Sequence, residues 1–146
     1  MIDRTLRIAP ADKARLRLLF LAKHARATGL LDAVDGNHAL YHHEMRSTLE
    51  EIGLNVRVAD SYEALFERPD VDFVVTLLNR GGFQNSEMLA PLLLGWRDMP
   101  YLGASPILRG VSDDKYLSKM IARAHGVPTM DAQIFRRGAM PATPAF

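Results

Sequence analysis

The run Val71 to Leu78, VDFVVTLL, constrains the fold of this chain more than any other stretch. It is the most β-branched run present, and its near-continuous apolar character suits a strand covered on both faces. Arg15 to Ala22, RLRLLFLA, has the same character from Leu18 onward. These two strands belong at the centre of a sheet and require helices above and below it, which the remaining sequence supplies. From Asn37 to Ile52 the pattern is helical, with Tyr41, Met45, Leu49 and Ile52 on one face, Arg46, Glu50 and Glu51 on the other, and Gly53 at its end. Leu54 to Ala59 alternates as a second strand, and Asp60 with Glu63 opens a short helix through Phe66, stopped by Arg68-Pro69. Leu89, Leu92, Leu93 and Trp96 mark a helix over Ser86 to Arg97, with Pro91 close to its first turn. Pro100 to Ala104 is a fourth strand.

This alternation predicts an α/β fold: a three-layer sandwich with a parallel sheet of about four strands and helices on both faces, flavodoxin-like or Rossmann-like. Such a sheet places its ligand crevice at the carboxyl ends of the first and third strands. Lys23 and His24 open the first of those loops, and Asn79, Arg80, Gly81 and Gly82 open the second. Either loop suits carboxylate or phosphate oxygens, although a solvated basic loop and a simple glycine turn are the commoner uses of such residues. Neither GxGxxG nor GxxxxGK[ST] occurs, which argues against a standard dinucleotide or P-loop site. His38 and His42 lie four residues apart beside His43 and Glu44, a spacing that can hold a divalent metal from one helix face. Two imidazoles are half of a tetrahedral site, and polar histidines near a helix start are the alternative.

A chain of 146 residues is one domain of ordinary size. Its 18 Lys plus Arg against 17 Asp plus Glu give a formal charge of +1, so nothing electrostatic points to nucleic acid or an anionic membrane. Without cysteine, disulfides, zinc-thiolate sites and thiol catalysis are excluded. Leu18 to Ala22 is too short for a signal or membrane segment, and a soluble cytoplasmic protein is expected. A phosphoryl-receiving regulator would need acidic residues where Lys23 and His24 stand.

The last long segment is Tyr101 to Thr129, YLGASPILRGVSDDKYLSKMIARAHGVPT. It reads as a strand, a turn capped by Ser105 and Pro106, and a helix with Lys115 near its first turn and Gly126 at its C′ position. Leu117, Met120, Ile121 and Ala124 form its apolar stripe, Ser112 its N-cap, and Asp113 and Asp114 complement its positive end. "PYLGAS" followed by "SDDKYLSKMIARAHGVPT" resembles the junction between the first two domains of ATP-grasp carboxylate–amine ligases, nearest to D-alanine–D-alanine ligases. The resemblance covers about residues 15 to 135, the size of a Rossmann-like, pre-ATP-grasp domain. It divides the chain into an N-terminal arm over 1–14 with an edge strand around Leu6 to Ala9, the α/β domain over 15–129, and 130–146. That last part is the start of the ATP-grasp region or a frayed tail, with one more strand over Met130 to Phe135.

The resemblance implies a ligase that phosphorylates an amino acid's carboxylate and lets an amine attack it. It implies substrate contacts at Lys23, His24, Asn79 and Arg80, and ATP phosphates near Lys115, whose ammonium acts beside the helix's own N–H groups. It assigns this chain no catalytic residue and no metal ligand. Where D-alanine ligases carry "HGRGGEDG", this chain has "NRGGFQNS", with Asn79 about where the histidine belongs and Gln84-Asn85 where the acidic pair belongs. The family's lid over ATP and its two Mg²⁺ sites belong to later domains, so no ATP or Mg²⁺ is expected to bind this chain tightly alone, and the isolated chain is expected to be inactive. Expected partners are the ATP-grasp domain, in cis or as a separate subunit, and an amino-acid-like small molecule. The alternative is a stand-alone flavodoxin-like binding module, in which the uncovered face of Tyr101 to Gly126 favours a homodimer.

Overall fold

In the computed structural model, which describes residues 7–78, 82–83, 85–135 and 138, every other element is placed by strand β1 (Arg17–Leu21). It pairs in parallel with β2 (Asn55–Ala59) on one side and β3 (Phe73–Thr76) on the other, and β3 pairs with the short β4 (Tyr101–Leu102). The sheet order is therefore β2-β1-β3-β4. As the alternating side chains of a strand require, Leu19 and Leu21 face one way and Leu18 and Phe20 the other. Leu19 and Leu21 meet Leu65, Val74, Ala90 and Leu94, from the 3-10 turn Tyr62–Leu65, β3 and helix α3 (Leu89–Trp96). Leu18 and Phe20 join Ala25 and Val75, and Met45 and Leu49 of helix α2 (His38–Glu51) close that side. Helices thus cover both faces, the α/β three-layer arrangement expected. Phe20 is fully buried, which on its own stabilises the fold by about 1.5–3 kcal/mol.

The amino ends of the strands are tied by charge. The backbone N–H of Arg17 donates to Asp72 Oδ2 at 2.8 Å and its guanidinium to Asp72 Oδ1 at 2.9 Å, while Asp70 pairs with the same guanidinium. Arg17 holds the Asp72 carboxyl down to about 2.

Several expectations need correction. Residues 10–15 form a helix, α1 (Pro10–Arg15), because Pro10 occupies its first turn and Asp12 its positive end; Arg7 to Ala9 carry no strand, and Leu6 lies outside the described residues. The short helix after β2 starts from Ser61, not Asp60, and is a 3-10 turn. The buried face of α2 is rotated: Ala39 and His42 are buried, while Tyr41 and Ile52 are about half exposed. In α3 the buried residues are Ala90, Pro91 and Leu94, and Trp96 lies 77% exposed with the Arg97 guanidinium 5.0 Å from its ring centre. Small Ala90 lets this face approach the sheet, so the larger Leu92 and Trp96 are displaced outward.

The single helix expected around Lys115 is two. Helix α4 (Pro106–Asp113) starts at Ser105, whose Oγ accepts from the Leu108 N–H at 3.4 Å. Helix α5 (Lys115–Ala124) starts at Asp114, whose Oδ1 accepts from the N–H groups of Tyr116 and Leu117, both at 2.9 Å. Ser112 is no cap; its hydroxyl donates to Leu108 O. Residues 130–135 are irregular rather than a strand, and all of 136–146 except residue 138 lies outside the described residues.

Gly53 and Gly126 end α2 and α5 in the left-handed conformation, as expected from the sequence. Asp98 does the same work after α3, at φ 52, with its N–H bonded to Gly95 O and that of Met99 to Leu94 O. A Cβ is strained there, so Asp98→Gly is expected to raise stability by about 0.5–1 kcal/mol, measured by urea unfolding.

Candidate functional site at the carboxyl ends of the strands

The order β2-β1-β3-β4 reverses the direction in which strands are added between β1 and β3, and the loops after these two strands lie where open α/β sheets take their ligands. The loop after β1 is built around a carboxylate the sequence did not single out, Asp35. The Lys23 ammonium pairs with Asp35 Oδ2, and His24 Nε2 lies 2.9 Å from the same oxygen. Asp32 sets Asp35 in place: its Oδ1 accepts from the N–H groups of Val34 and Asp35 at 2.8 Å, and its backbone exchanges two hydrogen bonds with Gly36. Lys23 and His24 hold the Asp35 carboxyl down to about 2. Both side chains are thereby engaged within the chain.

Helix α2 secures this loop from below. Arg46 donates to Ala25 O at 2.8 Å and to Ala27 O at 3.2 Å, and His43 Nδ1 donates to Ala27 O at 3.0 Å. The Gly29 position allows the last contact, since a Cβ there would come within 2.8 Å of the His43 ring. His42 is 3% exposed and its Nδ1 accepts from the His24 N–H at 3.3 Å. Its ring lies 5.8 Å from that of His24 and 6.3 Å from that of His38. The expected His38/His42/His43 group is thus divided among a surface position, a buried acceptor and a loop clamp. The residues whose ligand atoms converge, within 4.8 Å of one another, are instead His24, Asp32 and Asp35. There the Lys23 ammonium already supplies the positive charge, so the group is accounted for as a loop-ordering network.

At the carboxyl end of β3, Asn79, Arg80 and Gly81 lie outside the described residues, as does Gln84. At this end of the sheet the structure assembles groups that sequence reasoning missed. Thr76 donates to Leu102 O at 2.9 Å, and Arg109 of α4 donates to Thr76 O at 2.9 Å. Glu87 lies beside Arg109, and the buried Tyr62 hydroxyl donates to Ser86 O at 2.8 Å. Burial pushes the Tyr62 phenol up. Arg109 carried no sequence signal, because it sits one helical turn inside a segment read only for its cap and its stripe.

Lys115 is the first residue of α5, exposed, with no ion-pair partner among the described residues. It lines a cleft of about 380 Å³ with Tyr116, Lys119, Asp131, Gln133 and Phe135. Asp114 occupies the N–H groups of Tyr116 and Leu117, so an anion here meets the ammonium and not the helix N–H groups expected from sequence. Neither α4 nor α5 has a buried residue; Ile107 is 77% exposed, and Leu108, Leu117 and Ile121 are exposed as well. Among the described residues no helix is long and apolar enough to cross a membrane.

No protein-family model matches the chain. It is similar to a D-alanine–D-alanine ligase of a Synechococcus strain, 33% identical over 96 residues that make up 62% of this chain and 29% of the ligase. A second Synechococcus D-alanine–D-alanine ligase is 31% identical over 90 residues, 58% of this chain and 27% of that protein. An uncharacterized protein of Sinorhizobium fredii is 46% identical over 48 residues, 33% of this chain and 14% of its own length. The chain therefore spans less than a third of each of these relatives.

Burial lowers the His42 imidazole below its ordinary range, with the charges of His24 and His38 acting in the same direction and Asp35 against them. The folded state then binds a proton less readily than the unfolded one, so stability is full above about pH 6.5 and declines as pH falls below it. His42→Asn keeps an acceptor for the His24 N–H and removes the titration. It is expected to flatten the fall in melting temperature between about pH 7 and pH 5.

Proposed function

We propose that this chain is the substrate-side, N-terminal domain of an ATP-grasp carboxylate–amine ligase of the D-alanine–D-alanine type. The observation that carries this reading is the similarity to two such ligases over about three-fifths of the chain. The parallel sheet with its switch point between β1 and β3, and the α4–α5 segment with exposed apolar side chains, support it.

In this reading one amino acid's carboxylate is activated as an acyl phosphate, and an amine attacks it. Lys23, His24, Asn79 and Arg80 border the amino-acid site. With Lys23 and His24 bound to Asp35, that loop acts by shape and hydrogen bonding more than by free positive charge. Lys115, exposed and without an ion-pair partner among the described residues, suits a polyphosphate as a point charge. ATP and Mg²⁺ belong to the complete enzyme, where the metal neutralises the phosphates during transfer. An ATP-grasp domain, in cis or as a separate subunit, covers the apolar side of α4 and α5. The complete enzyme works in the cytoplasm.

The isolated chain is expected to show no amino-acid-dependent ATP hydrolysis. Supplied with the remaining domains of a D-alanine–D-alanine ligase, it is expected to recover hydrolysis, with Lys115→Ala lowering kcat/KM by about 10- to 100-fold through loss of one charged contact. Hydrolysis by the chain alone would contradict this division of labour.

The same uncovered side favours a second reading, a non-catalytic module that dimerises through α4 and α5. Sedimentation of a clean monomer, unchanged by Ile121→Lys, would dismiss it.

A further inference from the structure

Residues 23–36 carry no helix or strand beyond one bridge between Asp32 and Gly36, yet they lie on α2 as a strap. Of their side chains only Ala25 is buried, in the core beside β1. Polar contacts hold the rest. Arg46 takes the carbonyls of Ala25 and Ala27, His43 takes Ala27 O, and Lys23 and His24 meet Asp35. The strap is therefore fastened by hydrogen bonds and charge, and little apolar area is uncovered when it lifts.

One fastening differs from the others. His42, 3% exposed, holds the His24 N–H by accepting it at Nδ1, 3.3 Å away. A neutral imidazole can do this and an imidazolium cannot, since both of its nitrogens carry hydrogen. The surroundings of His42 oppose a charge there. From the strap, the His24 ring lies 5.8 Å away, and Asp35 is already bonded to Lys23 and His24. From α2 itself, the rings of His38 and Tyr41 lie at 6.3 and 5.7 Å, and β1 offers only the edge of Phe20 at 6.4 Å. Among the described residues no carboxylate is hydrogen-bonded to His42. With the three imidazoles neutral, one ammonium faces the carboxylates of Asp32 and Asp35; with all three protonated, four positive charges face the same two.

The geometry points to an acid-released strap: protonation of His42 lifts residues 23–36 from α2 while the sheet stays folded. Charge on His42 removes the acceptor for the His24 N–H and adds repulsion from His24 and His38, and lifting the strap returns the imidazolium to water. The sheet is spared because Leu18 and Phe20 of β1 keep Met45 and Leu49 of α2 against them. Burial holds the His42 imidazole below its ordinary range, so the closed strap binds a proton less readily than the open one. The closed form is fully favoured above about pH 6.5 and loses ground as pH falls below it, by up to about tenfold per pH unit for a single proton. A fall in melting temperature reports the whole chain; release of the strap is local and precedes it. Nothing in this device depends on the ligase reading.

Hydrogen–deuterium exchange of the full chain between about pH 7.5 and about pH 5 tests it, each rate being divided by the intrinsic chemical rate at that pH. Amides of residues 23–36 are expected to open more often below about pH 6.5, by up to about tenfold per pH unit, while those of β1 and β3 change by less than about twofold. His42→Asn, which keeps an acceptor and cannot titrate, is expected to remove the rise. No rise in the unaltered chain, an equal rise in strap and strands, or an undiminished rise in His42→Asn would overturn the strap. Should His42→Asn fail to fold, NMR titration of the His42 ring in the unaltered chain decides between the outcomes. A midpoint shared with the His24 and Ala25 amides upholds the release, and separate midpoints overturn it.

Discussion

Burial of β1 on both faces, with a strand on either side, is the constraint from which the rest of the molecule follows. A strand with Leu18 and Phe20 against one helical layer and Leu19 and Leu21 against the other cannot slip by one residue without exchanging its two cores, so its register with β2 and β3 is fixed. With that register fixed, the backbone leaves Leu21 and Thr76 side by side and in opposite onward directions. The switch point between β1 and β3 is a consequence of strand order, and needs no dedicated scaffold of its own.

What distinguishes the groups around that switch point is whether their charges are already consumed. Lys23 and His24 are spent on Asp35, which is spent in turn on ordering the loop through Asp32. Arg46 and His43 bind this loop to α2 by taking up its carbonyls. Arg109 is likewise engaged, with Thr76 O and Glu87, whereas Lys115 has no ion-pair partner among the described residues.

The parallel sheet was legible because VDFVVTLL and RLRLLFLA admit few other environments, and the glycine stops after α2 and α5 because a left-handed residue is needed there. The buried faces of α2 and α3 were less so. Periodicity identifies a stripe, but tertiary packing chose Ala90 over Trp96 and His42 over Tyr41, since small or hydrogen-bonded side chains fit nearest the sheet. The division at Asp114 was hidden by three consecutive polar residues, any of which can cap a helix. Among the candidate residues, Lys23 and His24 were singled out by loop position and Lys115 by resemblance. Asp35 and Arg109 were invisible because their partners, Lys23 and Thr76, are 12 and 33 residues distant, and no local pattern encodes such a pairing.

The uncovered side of α4 and α5 joins these threads, for two helices with no buried residue and apolar side chains facing outward are marginal unless something lies against them. Hydrogen–deuterium exchange over residues 106–124, compared between the chain alone and the chain joined to the ATP-binding region of a ligase relative, tests this most directly. The account predicts rapid exchange in the isolated chain and marked slowing when the second domain is present. Equal exchange in the two states would contradict it.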